Sequence, residues 1–439
     1  MNNGIAMNST RQILALVAGC VLAGTASCVW AQDWPQWRGA NRDAKAVGFR
    51  APQTWPKELT QKWKVTVGEG AATPSLVGND LFVFARQEGG EILRCLDAAT
   101  GQERWRDKHD ALGAEGPASG HSGPRCSPTV AEGKVVTLGL RGVLSCHEVA
   151  SGKRLWRKED FTGAWPRFFT SASPLVANGL CVAVLGGPGN GGVIAYDLAS
   201  GSEKWRWTGD GAAYASPVLI TVDGTPYALT QTDTKMVALA LADGKLAWET
   251  PFVVQGRGYN AATPIVAGDT VIYLGSGRGA TAVKFEKEES GLAGKELWKN
   301  ADNSVQFNTP VLKSGFLYGL TAGNEFFCLN AQDGKTAWTA PWAPAATDAA
   351  PASTGGGGRG GRGGRGGGGS GFGSVVDAGS VLLALTPSSM LVVFEPNPQA
   401  YKEIARLKVA DSPTYAYPVA SGNRLFIKDQ DAVTLWTVD

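Results

Sequence analysis

The 439-residue sequence contains no CxxC pair, no adjacent cysteines and no clustered histidine and cysteine, so a zinc site is not expected. It also lacks an excess of charge: 41 Lys and Arg stand against 39 Asp and Glu. That balance creates no strong field toward nucleic acid or a membrane surface, and no nucleic-acid partner is expected. Beyond residue 31, no apolar run is long enough to span a bilayer.

At the N-terminus, Arg11 precedes an apolar run from Ile13 to Ala26, and Val29-Trp30-Ala31 places small residues where a signal peptidase cuts. The run is too short for a spanning helix, so residues 1–31 read as a secretory signal. The mature chain is then expected to start near Gln32 and to be exported to the periplasm. Val17-Ala18-Gly19-Cys20 also resembles a lipoprotein box, which leaves a lipid anchor at Cys20 as the rival reading. Loss of Cys20 and Cys28 leaves five cysteines, an odd number, so at least one thiol stays unpaired.

What the chain does have is a repeat. Each unit opens on a small residue and proline: Thr73-Pro74, Ser127-Pro128, Ser173-Pro174, Ser216-Pro217, Thr263-Pro264, Thr309-Pro310 and the variant Tyr417-Pro418. The first six prolines lie 54, 46, 43, 47 and 46 residues apart. Each unit closes on a Gly turn and a tryptophan, as in "AATGQERW", "VASGKRLW", "LASGSEKW", "LADGKLAW", "GLAGKELW" and "AQDGKTAW". The segments between are short, β-branched and alternating, which reads as strands. Four strands per 40–50 residues is the pattern of a propeller blade.

A seventh unit runs from "SVVDAGSVLLAL" to "YKEIARL", with Ile404 in the tryptophan position. An eighth starts at "YAYPVASGNRLFI" and lacks a fourth strand, and "LTQKWKV" (Leu59 to Val65) supplies one, with Trp63 in place. The expected fold is therefore all-β: an eight-bladed β-propeller over residues 59–439, closed by its N-terminal strand, after an extension over 32–58. In each turn the Gly permits a positive φ, and the Trp is a wedge between blades whose indole N–H can reach the next blade. Cys95, Cys146 and Cys328 each precede their Trp by ten residues, so they read as small packed residues of third strands.

These repeats resemble the PQQ-like propeller family, whose members include quinoprotein alcohol dehydrogenases and the non-enzymatic lipoprotein subunit of the outer-membrane β-barrel assembly machine. "DWPQWRGANRD" (Asp33 to Asp43) looks like the opening of exported PQQ-like repeat proteins. The resemblance is specific for the fold and says little of activity. An enzyme of this family implies PQQ held with calcium by carboxylate and amide ligands, a catalytic Asp, and often a disulfide between adjacent cysteines. No Cys-Cys pair exists here, and Asp107, Asp110, Asp160, Asp210 and Asp302 match no ligand pattern. Glu148 falls on a third strand, the wrong part of a blade. No cofactor is expected, with PQQ and calcium as the alternative. The favoured function is an exported scaffold for a protein or envelope partner, with a PQQ-dependent oxidoreductase as the alternative.

The connections into first strands should form one mouth of the central channel. Three residues before the anchoring prolines stand Ala71, Arg125, Ser171, Tyr214, Ala261, Phe307 and Tyr415, and one step earlier Thr170, Asn260, Gln306 and Thr414. Arg125, Tyr214, Asn260, Gln306 and Tyr415 are the candidate binding residues, with channel plugging as their plain role. His109 and His121 fall in the long connection Asp107 to Cys126, while His147 alternates within a strand and reads as surface. "DFTGAWPRFFT" gathers Trp165, Phe168 and Phe169, a possible carbohydrate-binding loop. Residues 343–373, with "TGGGGRGGRGGRGGGGSGFG", cannot bury a core and read as a flexible tether between blades six and seven.

Overall fold

The computed structural model describes Met1, residues 33–342 except positions 162, 255, 257 and 290, and residues 371–439. The expected signal peptide, the Cys20 anchor and nearly all of the Gly/Arg-rich insertion lie outside the described residues.

Eight four-stranded antiparallel sheets make up the described chain. Blade 1 is typical: Ser75–Val77, Asp80–Gln87, Gly90–Asp97 and Glu103–Asp110, paired in that order. The ring closes as expected. Thr60–Thr66 pairs antiparallel with Ala432–Thr437, and completes the sheet that Val419–Ser421 and Arg424–Lys428 begin. The inner strands are buried on both faces, while fourth strands alternate exposed and half-buried residues. This is the burial that packed blades impose.

Two sets of interblade bonds explain the repeat's signature residues. Near the axis, the hydroxyl of the small anchor residue accepts the same residue's amide from the neighbouring blade. Ser127 N–H donates to Ser173 Oγ, Ser173 N–H to Ser216 Oγ, Thr263 N–H to Thr309 Oγ1, and Tyr417 N–H to Thr73 Oγ1, at 2.8–2.9 Å. At the periphery, the indole N–H of six fourth-strand Trp residues donates to a carbonyl of the next blade, with Trp63 reaching Ala98 O at 3.3 Å. Trp105 reaches Val149 O, Trp156 reaches Leu198 O, Trp205 reaches Leu241 O, Trp298 reaches Ala331 O and Trp338 reaches Asn397 O, at 2.8–3.0 Å. Five of these rings also lie against the turn Gly of the next blade, whereas Trp338 lies against Tyr401. At Gly201, φ is +71° and an added Cβ would sit 2.7 Å from Trp156 Cγ.

Three local expectations need correction. "GLAGKELW" is not a turn: Gly279–Glu288 and Gly291–Asn300 form a longer hairpin, and Gly294 lies inside a strand against Trp248. In blade 7 the residue aligned with the tryptophans is Ala405, opposite Val393 beside the bulge, and Ile404 is exposed. Tyr401 fills the space instead, stacking on Phe326 and lying against Trp338. His147 is buried, not surface, with Nε2 2.9 Å from Asp107 Oδ2 across the seam of blades 1 and 2. Alternation fails as a guide here because third strands are covered on both faces by neighbouring blades.

Cys95, Cys146 and Cys328 stand directly opposite Trp105, Trp156 and Trp338, as the ten-residue spacing implied. All five described cysteines are buried and unpaired.

Candidate binding mouth

The axis is occupied from one side by the segment that follows the expected signal. Trp34 bridges to Leu76 of blade 1, and Pro35 O accepts Val130 N–H of blade 2. Trp37 donates its indole N–H to Thr263 of blade 5 at 2.9 Å. Arg42 donates to the carbonyls of Ser173, Pro174 and Pro217 in blades 3 and 4. Arg38 donates to Thr309 O, Pro310 O and Tyr417 Oη in blades 6 and 8. Ala44 and Ala46 exchange backbone bonds with Asp377 of blade 7. One stretch of chain thus touches all eight blades. Both guanidinium groups are buried, with no carboxylate partner among the described residues, and desolvation holds Arg42 down to about 9.

On the other side, the loops leading into the first strands build a collar of rings. His121 meets Tyr415 edge-on at 5.2 Å, and Tyr415 meets Phe372 at 5.3 Å. Phe372 stacks on Phe307 at 4.3 Å, and Phe307 on Tyr259 at 5.9 Å. Tyr259 contacts Phe168 at 5.2 Å and Tyr214 at 5.7 Å. Arg125 closes the circuit by donating to Phe168 O and to His121 O. Each of the six Phe and Tyr residues is half-buried. The Tyr214 hydroxyl accepts Phe168 N–H, and burial pushes its ionisation up to about 12, so it remains a neutral donor.

The candidate residues divide between this collar and its support. Arg125, Tyr214 and Tyr415 lie in the collar. Gln306 is half-buried beside Gly371, below Phe372 in sequence. Asn260 is not a contact residue: it is 2% exposed, and its amide donates to Thr232 O, Asp233 O and Phe252 O while its Oδ1 accepts from Arg278. Thr170 and Thr414 are likewise buried. Sequence register missed Tyr259, two residues before the expected Ala261, and Phe372, which follows the Gly-rich run. An aromatic residue shortly before a first strand was the available signal. In the carbohydrate-loop expectation, Trp165 stacks on Phe169, and Arg141 covers both rings at 4.9 and 5.4 Å. Only Phe168 joins the collar.

Calcium-held PQQ does not fit these residues. The collar is built of rings and the Arg125 guanidinium, and no group of three or more His, Cys, Asp or Glu among the described residues could hold a metal. Three of the five aspartates named above have other partners: Asp210 accepts from Thr232 and Thr234, Asp160 from Tyr196, and Asp107 from Arg157. No helix among the described residues is long and apolar enough to cross a membrane.

Comparison with known proteins adds to this geometry. The family model described as "Outer membrane protein assembly factor BamB" matches residues 88–340. The BamB of Xanthomonas campestris pv. campestris is 27% identical over 277 residues, which is 60% of this chain and 64% of that protein. The BamB of Burkholderia pseudomallei is 28% identical over 227 residues, 48% of this chain and 51% of that protein. The matched stretches therefore cover less than two thirds of either relative. Among solved structures, BamB from Moraxella catarrhalis superposes with a TM-score of 0.59 at 12% identity, over 86% of this chain and 99% of that one. Quinohemoprotein alcohol dehydrogenase ADHIIG from Pseudomonas putida HK5 superposes with a TM-score of 0.63 at 12% identity, over 92% and 80%. At such identities these likenesses show the fold alone, and one fold carries both a dehydrogenase and an assembly factor.

Proposed function

The chain belongs to the family of outer membrane protein assembly factor BamB, and from that membership we propose that it is an exported, non-catalytic β-propeller scaffold that binds a protein partner at the cell envelope, in the assembly of outer membrane proteins. The family match across blades 1 to 6 carries the reading. The mouth supports it: the collar offers stacking surface, hydroxyl donors and charge. A rigid ring that presents irregular loops on one face suits partner binding.

Lysine-directed cross-linking of intact envelopes, followed by mass spectrometry, tests the proposal. Adducts with components of the outer-membrane assembly machinery are the expected result. Dye-linked alcohol oxidation by the purified protein after addition of PQQ and Ca²⁺, with no such adducts, would overturn it and restore the oxidoreductase alternative.

A further inference from the structure

We propose that the mouth is a blind, electropositive aromatic cup that takes an acidic polypeptide segment, carboxylates interleaved with apolar residues, from the partner. The inference rests on the scaffold reading and names the chemistry of what the scaffold holds.

The first support is shape. Phe168, Tyr214, Tyr259, Phe307, Phe372 and Tyr415 form a half-buried collar around the axis. Beneath it, Arg38 and Arg42 bind carbonyls of Pro174, Pro217 and Pro310. Those prolines follow the mouth positions Ser171, Tyr214 and Phe307 by three residues, so the floor lies about 10 Å down. A segment that enters must leave by the same side, as a loop or a chain end.

The second support is charge. Four guanidinium groups surround the cup: Arg38 and Arg42 in the floor, Arg125 in the collar, and Arg278 behind Asn260. Their bonds run to carbonyl, amide and hydroxyl oxygens, and none of the ion pairs among the described residues includes any of them. No described carboxylate lies within ion-pair distance of the four groups, and Asp233, which acts on Tyr214, is the acidic residue beside the collar. Because carbonyls already occupy these donors, the groups act through their field and not as a bidentate clamp. That favours distributed carboxylates over one phosphate. The phenols of Tyr214, Tyr259 and Tyr415 supply hydroxyl donors, and the rings supply stacking area for apolar side chains between the acids. With a net charge of only +2, the chain offers no broad field for a polyanion such as nucleic acid.

The test uses the purified chain and two rhodamine-labelled dodecapeptides, one of interleaved Glu, Phe and Gly and one with Lys for each Glu, read by fluorescence anisotropy. The Glu peptide is expected to bind at least about tenfold more tightly than the Lys peptide. Raising NaCl from about 50 to about 500 mM should weaken it about fivefold or more. Phe307→Ala with Tyr415→Ala should weaken it about tenfold with an unchanged far-UV circular dichroism spectrum. Equal binding of the two peptides, insensitivity to salt, or no binding of either overturns the cup, and these wild-type measurements decide it even where the double variant misfolds. Envelope adducts without peptide binding would leave the scaffold reading standing and remove the cup. Peptide binding with no envelope adduct would keep the cup and remove only the partner's place in outer-membrane assembly.

Discussion

The glycine in each repeat turn is expected to be coupled to the tryptophan of the preceding blade, and the Trp156–Gly201 pair allows a quantitative test. Gly201 has φ of +71°, and a Cβ there would sit 2.7 Å from Trp156 Cγ and Cδ2. Carbon pairs in contact prefer about 3.5–4.0 Å, so the indole or the turn must move. Gly201→Ala therefore combines a left-handed backbone penalty of about 1–2 kcal/mol with an overpacking penalty of about 1–3 kcal/mol. Trp156→Ala alone should cost about 3–5 kcal/mol, since it empties a buried site and frees Leu198 O. In the Trp156→Ala background nothing remains for the new methyl to strike, so Gly201→Ala should cost only the backbone part. Urea unfolding of the four proteins, followed by circular dichroism, gives the coupling directly. Its expected size is about 1–3 kcal/mol, with the double variant less damaged than the sum of the singles. An equal cost for Gly201→Ala in both backgrounds would refute the packing argument and leave only the turn's φ.

Arg42→Ala should lower stability by about 3–5 kcal/mol in the same assay, because three axial carbonyls lose their donor. Arg42→Met should cost less, since it removes a desolvated charge and keeps the volume. Burial holds His147 below its ordinary value, opposed by its bond to Asp107 and reinforced by Arg157 and Arg154. The unfolded chain therefore binds this proton more readily, so the stability is complete above about pH 6.5 and is lost as pH falls below it. Melting temperatures measured from pH 7.5 to 5.5 should fall, with a shallower slope in His147→Gln. Cys95 and Cys146 are pushed up to about 12 and Cys328 to about 11, in each case chiefly by burial. Native protein should thus leave these thiols unreactive toward a disulfide reagent, and all five should react once urea unfolds the ring.

The regular parts of this fold were legible because each repeat is a local statement. The anchor prolines, the turn glycines and the tryptophans recur at nearly fixed spacing, and Trp63 could be matched to its missing blade by the same rule. The misreadings fall where the period is broken. The blade 5 hairpin is longer than its siblings, so its Gly294 sits in a strand. The blade 7 turn is two residues longer than in blades 1, 2 and 6, which puts Ala405 where Ile404 was expected. Of the candidate mouth residues, Arg125, Tyr214 and Tyr415 reach the collar, whereas Asn260 turns inward to tie down Thr232, Asp233 and Phe252.

By itself, the sequence determined eight blades, a closed ring and wedge tryptophans, since hydrophobic period and turn chemistry act within a few residues. What occupies the axis was decided only in three dimensions. Arg38 and Arg42 meet carbonyls 131 to 272 positions away, and the collar joins rings from seven connections of unequal length. No local pattern encodes those meetings, because only closure of the ring brings residues from every blade to one line.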